Sequence, residues 1–338
     1  MPNQPLYPLA KPIEGDVVVL CEGDAVSYDS ALLKRWADAA DLNGRFVKVM
    51  ACGTGDALFG MADAIGRTIP VVVIEDRDFR TPAEAEKECL KNLRNRENRN
   101  CAMRGWMAWQ RAEIENYFAD DNVLVPVLAD AFSCDHDEVR NAVKRALNLL
   151  PTFQALEYGL FRARKSWLST DANRALRVET MSWGNGSLEA LAHEVVREKL
   201  EKRLTKWQSS LHDGQAWEDP MSGDDLLRDF DTKIREWTGM EYSSDVWRVD
   251  WACKEVLKLT RQMMSEKRPG WWSAPHARNA PVNWGAFANS HDRDEHDRRI
   301  ERELLPKFIG KVLEEYANGR TEHLASDFAK LAEALKAQ

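Results

Sequence analysis

The residues best placed for chemistry in this chain are acidic, and they follow apolar runs. Glu22 comes directly after Val17-Val18-Val19-Leu20-Cys21, and Asp76 and Asp78 follow Val71-Val72-Val73-Ile74-Glu75. Continuous β-branched runs of this kind read as strands buried on both faces. In an open parallel sheet, ligands bind at the carboxyl ends of the strands. Carboxylates far apart in sequence are thus brought to one edge. Like charges held together repel, and burial adds to the cost. A divalent cation relieves both, and an all-carboxylate donor set favours a hard ion, Mg2+ or Mn2+, over zinc. Glu113 and Glu115, in Arg111-Ala112-Glu113-Ile114-Glu115-Asn116-Tyr117-Phe118, are candidates from one further strand end. The chemistry open to such a set is metal-assisted hydrolysis of an anionic ester. One ion activates water, and a second about 4 Å away stabilises the leaving oxygen. A plainer alternative stands beside this at each position: acidic residues after strands begin the following helices, where negative charge is favoured.

These side chains need a scaffold of alternating strands and helices. After the first strand, Asp29 or Ser30 can cap a helix with Leu32, Leu33, Trp36 and Ala40 on one side. Phe46 to Met50 is a second strand, ending in Gly53-Thr54-Gly55. Leu58, Met61, Ala62 and Ile65 then recur at helical spacing. Thr81-Pro82-Ala83-Glu84 is a capping box with proline at the first helical position, and predicts a helix to about Leu93. A short fourth strand is expected near Cys101 to Trp106, and a helix from about Glu113. The alternation implies an α/β fold, a mostly parallel sheet with helices on both faces. From about residue 122 the pattern turns helical, with segments at 123–131, 137–149, 151–166, 188–207, 224–237, 251–264, 298–316 and 321–336. Pro269 to Asn289 reads as an ordered loop. The expected division is residues 1–121 for the sheet domain and 122–338 for a helical region.

Composition narrows the function classes. The chain has 338 residues and a net charge of −8, from 47 basic and 55 acidic residues, which argues against a protein that coats nucleic acid non-specifically. No apolar run reaches the length of a membrane span. MPNQPLYPLAKPIEG lacks a basic start and an apolar core, so no signal peptide is expected and a cytoplasmic location is. The six cysteines form no CxxC pair, which leaves buried thiols in a reducing compartment as the simplest account. No GxxxxGK[ST], HExxH or GxSxG occurs, and Gly53-Thr54-Gly55-Asp56-Ala57-Leu58 lacks the third small residue of a dinucleotide fingerprint. His291-Asp292-Arg293-Asp294-Glu295-His296-Asp297 reads as a solvated acidic helix start. Lys91, Arg94, Arg96 and Arg99 form one basic cluster, and Arg162, Arg164 and Lys165 another. Each is a nucleic-acid contact or a solvated helix face.

Taken together, Glu22-Gly23 after one strand, Gly53 and Gly55 after the next, Asp76-x-Asp78 after the third, and Glu113-Ile114-Glu115-Asn116-Tyr117 resemble the Toprim domain of OLD-family nucleases. The resemblance covers about residues 15–120. Asp250-Trp251-Ala252-Cys253-Lys254-Glu255-Val256-Leu257 is similar to a later segment of the same family whose lysine lies at the nuclease site, with Cys253 in place of the family's glycine. The resemblance implies a Mg2+- or Mn2+-dependent endonuclease cleaving DNA or RNA, transfer RNA among the targets. Glu22, Asp76 and Asp78 would be the principal ligands, with Glu22 alternatively a general acid or base. Asp29, Glu113 and Glu115 would support them, and Lys254 would neutralise charge at phosphorus. The family often places another acid about four residues after the first glutamate; here that position is Val26, Asp24 comes too early, and Asp29, which fits with about three residues inserted, is the favoured match. The small members of the family work beside an ABC-type ATPase in anti-phage defence, which implies such a partner here and a homodimer in the active state. Two other readings stay open: a catalytically silent interaction module, and a nucleotide-handling phosphotransferase or hydrolase built on the Gly53/Gly55 turn.

Overall fold

A computed structural model describes residues 17–23, 27–53, 55–166, 193–210, 223–267 and 290–337. The chain divides into two compact units, Met1–Val123 with Glu301–Gln338, and Leu124–Ile300. The sequence boundary at 121/122 assigns the last residues of the chain to the helical region. The structure instead returns them to the sheet.

The first unit is α/β. Strands β1 (Val17–Cys21), β2 (Val47–Ala51), β3 (Val71–Glu75) and β4 (Met103–Ala108) form one sheet in the order β2-β1-β3-β4, with every pairing parallel. β1 and β3 are central and buried at every residue, which is why their sequences are continuous apolar runs. At the edge, β2 keeps Val49 buried and Lys48 exposed. The crossovers are α1 (Tyr28–Ala39), α2 (Gly55–Ile65) and α3 (Pro82–Glu97). α3 starts as its sequence predicts. Thr81 N donates to Glu84 Oε2 at 2.8 Å and Glu84 N to Thr81 Oγ1 at 3.3 Å. α3 runs past Leu93 to Glu97. The fourth strand starts two residues later than expected and runs to Ala108. The helix expected from Glu113 is only a 3-10 turn, Ile114–Tyr117, before α4 (Asp121–Phe132).

The second unit takes in most of α4 and, beyond it, α5 (His136–Leu149), α6 (Pro151–Ser166), α7 (His193–Ser210), α8 (Gly223–Trp237), α9 (Val246–Asp250) and α10 (Cys253–Lys267). α6 packs on α8, and α5 on α10. Gln154 ties α6 to the start of α10 by accepting from Ala252 N (3.1 Å) and donating to Ala252 O (3.0 Å). Phe230, Trp247 and Trp251 are fully buried there and fill the helical core. The expected loop at Pro269 to Asn289 lies outside the described residues.

The last helices are α11 (Ser290–Ala317) and α12 (Glu322–Lys336). His291 to Asp297 falls in the first turns of α11, which begins earlier than the expected Arg298. α12 packs against β3 and β4 within the first unit. Phe328 stacks on Trp36 with ring centroids 4.6 Å apart and meets Trp109 edge-on at 6.5 Å. Gly105 on β4 permits the close approach, since a Cβ there would stand 3.2 Å from the Ala334 methyl. Arg45 donates to the carbonyls of Leu335, Lys336 and Ala337 at 2.9, 3.2 and 3.0 Å, and so caps the helix C-terminus. No helix among the described residues is long and apolar enough to cross a membrane.

Candidate functional site

Glu22 stands where β1 ends. Gly23 follows at φ 84°, and Gly23 and Gly53 exchange backbone hydrogen bonds of 2.8 and 2.7 Å that tie the ends of β1 and β2 together. A Cβ at Gly23 would come within 2.6 Å of the Ser27 side chain, so both the dihedral and the space require glycine. A Cβ at Gly55 would stand 3.5 Å from Glu22 Oε1, which places the start of α2 beside that carboxylate.

Asp29 lies in the first turn of α1. The cap of this helix is Ser27, whose Oγ accepts from Ser30 N at 3.4 Å, so Asp29 is not the cap allowed for above. Its carboxyl is turned inward, 6% exposed, and Oδ1 accepts the Trp109 indole N–H at 3.0 Å. Burial, the charge on Glu115 and, less strongly, that on Glu22 push Asp29 up to about 8, against the opposing Trp109 hydrogen bond.

Asp76 is half-buried after β3, and its Oδ1 accepts from Ile114 N at 3.3 Å. Burial holds this carboxyl well above the usual range, and Asp29, Glu115, Glu113 and Glu22 add to the effect in that order. Five carboxyls from four segments therefore share one electrostatic environment at the carboxyl edge of the sheet: Glu22, Asp29, Asp76, Glu113 and Glu115.

Asp78 is placed differently. It adopts φ 52° and donates its amide to Ala112 O at 2.7 Å, which stitches the loop after β3 to the loop after β4. Its carboxylate acts on Arg80. Burial disfavours that guanidinium's charge, but Glu75 first, then Asp78 and Glu88, raise its pKa above the ordinary value. Arg80 Nη1 pairs with Glu75 at 2.7 Å and Glu88 at 3.2 Å, and its other amino group donates to Asp76 O. Arg77, 2% exposed, donates through Nε to Gln110 O at 2.8 Å. The two arginines brace the Asp76–Asp78 turn from within.

Lys254 is exposed in the first turn of α10, in the second unit. Its neighbour Cys253 is buried, and Sγ donates to Trp247 O at 3.1 Å. Asp24 lies outside the described residues.

The first basic cluster divides. Arg96 is 7% exposed, its guanidinium lying between Phe59 (4.7 Å) and Trp106 (4.5 Å) and its Nε 3.2 Å from Asp63. It is a packing residue and not the nucleic-acid contact expected from sequence. Arg99 is exposed and pairs with Asp63 at 3.0 Å. Lys91 and Arg94 stay on the surface and line a hollow with Lys87 and Leu90. Arg162 is exposed on α6; the side chains of Arg164 and Lys165 lie outside the described set.

Three contributors were not found from sequence. Trp109 reaches Asp29, the Glu75–Arg80 pair supports Asp76, and Asp327 of α12 accepts hydrogen bonds from Gln110 N (3.1 Å) and the Tyr117 hydroxyl. Glu75 alone carried a visible signal, as a charged residue closing an apolar strand.

No group of three His, Cys, Asp or Glu side chains able to hold a metal ion stands ready among the described residues. The donors fit a hard cation by chemistry, all oxygen and mutually repelling, rather than by preset geometry. Its entry would displace the protons that burial favours on Asp29 and Asp76. No family model, no curated protein and no solved structure matches the chain.

Proposed function

We propose that the first unit is a Mg2+- or Mn2+-dependent phosphodiester hydrolase of the Toprim type found in OLD-family nucleases. The observation that carries this is the meeting of Glu22, Asp29, Asp76, Glu113 and Glu115 from four segments, with Asp29 turned inward onto the Trp109 indole and Asp76 accepting from Ile114 N; burial first, and then the charges of these neighbours, raise Asp29 and Asp76 together. A phosphodiester is itself anionic, so such a pocket repels it until cations are present. Glu22, Asp29 and Asp76 would hold the ions, with Glu113 and Glu115 beside them. Bound there, a divalent ion supplies an activated water and charge neutralisation at the leaving oxygen. Glu22, at the end of β1, would take or return the water's proton. Asp78 keeps the turn that presents Asp76 and is a weaker ligand candidate than the other acids. Lys91 and Arg94 would hold the substrate backbone. Anti-phage defence, a nucleic-acid target including transfer RNA, restraint by an ABC-type ATPase, dimerisation on release, a cytoplasmic location and a role for Lys254 at phosphorus extend the reading through the family resemblance.

The test is cleavage of mixed DNA and RNA with Mn2+ or Mg2+, with and without a co-expressed ATPase. Glu22→Gln and Asp76→Asn should each abolish cleavage while circular dichroism and melting stay close to wild type. Undiminished cleavage by both purified variants would remove this pocket from consideration. The second reading is a catalytically silent interaction module whose acidic cleft only binds a metal or a partner protein. It wins if Mn2+ binds and no substrate is cut under any of these conditions.

A further inference from the structure

We propose that Asp327 on the C-terminal helix is a positioning residue for the acidic pocket, acting through Tyr117 to hold the turn that carries Glu113 and Glu115. The inference rests on the metal-dependent reading above. A 3-10 turn of four residues has too few internal hydrogen bonds to hold itself. Its own residues do only part of the work: Asn116 Oδ1 accepts from Glu113 N at 3.2 Å, and Arg111 donates to Asn116 O at 2.7 Å. Two further anchors come from outside the turn: Asp76 Oδ1 accepts from Ile114 N at 3.3 Å, and Asp327 holds Tyr117. One oxygen of Asp327, Oδ2, accepts both the Tyr117 hydroxyl and the amide of Gln110, so it fixes the two ends of the segment between β4 and the turn. Asp327 is 2% exposed, and Tyr117 is fully buried between the Trp109 ring (5.8 Å) and the Arg111 guanidinium (5.0 Å). Trp109, at the head of the same segment, holds Asp29. An apolar side chain would fill the Asp327 site at lower desolvation cost. A carboxylate there defines where the hydroxyl and the amide must sit, and with them Glu115 two residues before Tyr117.

The experiment compares Asp327→Leu, Tyr117→Phe, the conservative Asp327→Asn and the packing control Leu331→Ala, one turn further along the same helix. Two quantities are read in the full chain: Mn2+ affinity, and amide exchange of residues 110–119 without metal. Asp327→Leu and Tyr117→Phe should weaken Mn2+ binding by about tenfold, the usual effect of losing a partner behind a ligand, and should speed exchange across 110–119. Asp327→Asn, which keeps an acceptor oxygen, should restore most of both. Leu331→Ala should lower the melting temperature at least as much yet change Mn2+ affinity less than about twofold, as for a residue coupled to the site only through packing. Mn2+ affinity that simply follows melting temperature across the four variants overturns the proposal. So does unchanged exchange at 110–119 in Asp327→Leu and Tyr117→Phe. If wild type binds no Mn2+, the metal reading falls, and the exchange data alone decide whether Asp327 positions the turn.

Discussion

Asp29 is held by opposed influences. The Trp109 indole stabilises its ionised form, while burial and the neighbouring Glu115 and Glu22 disfavour it more strongly. A carboxyl whose pKa is higher folded than unfolded keeps its proton longer in the native state, so folding is penalised as pH rises between the two values. For Asp29 that window runs from the ordinary 3.8 to about 8. Metal-free protein should therefore lose melting temperature across this range. Asp29→Asn should flatten the loss, and saturating Mg2+ should oppose it by binding only the native, ionised pocket. Thermal melts at pH 5 and pH 8 measure this, and an Asp29→Asn slope equal to wild type would show that the penalty lies elsewhere. From sequence, Asp29 was legible only as a cap or by resemblance. Nothing local marks it as buried, because its partner Trp109 is remote in the chain.

Among the elements, α3 shows how a helix sorts residues of one type. Its N-terminus was legible because a capping box is a short-range hydrogen-bond pattern, complete within four residues. The roles of its arginines were not. Arg96 turns in between Phe59 and Trp106, while Lys91 and Arg94 face outward. Arg96→Ala should accordingly lower stability, by about 2 kcal/mol for lost cation–π contact and packing. Lys91→Ala and Arg94→Ala should leave stability unchanged within about 0.5 kcal/mol. If these two meet phosphates, each substitution should reduce the slope of log affinity against log salt by about 0.9. Urea melts and salt-dependent binding to a short duplex separate the two effects. The turn after β4 makes the complementary point. Its sequence has a helix-start pattern, but Asp76 and Asn116 accept from the amides of Ile114 and Glu113, and the backbone is committed to the neighbouring loop after one turn.

At the scale of the molecule, the sheet domain is completed by the end of the chain. Leu324, Phe328, Leu331 and Leu335 of α12 are buried to within 1%. At about 2 kcal/mol for each such side chain, their removal approaches the whole net stability of a domain, about 5–15 kcal/mol. A chain ending at Arg320 should therefore lose the cooperative unfolding transition of the first unit, leaving Trp36, Trp109 and the Tyr117 hydroxyl uncovered. A wild-type-like urea transition in the truncated protein would show that α12 is dispensable. By itself the sequence determined the local and periodic features: the strands, most helices, the α/β class, and the acids that end β1 and β3. These follow from side-chain alternation, helical spacing and caps, which act over a few residues. Only the tertiary structure decided that Asp29 turns inward, that Asp78 acts on Arg80, that Arg96 packs and that Asp327 reaches the turn after β4. Each depends on burial against a partner brought close by the fold, and sequence spacing carries no record of that proximity.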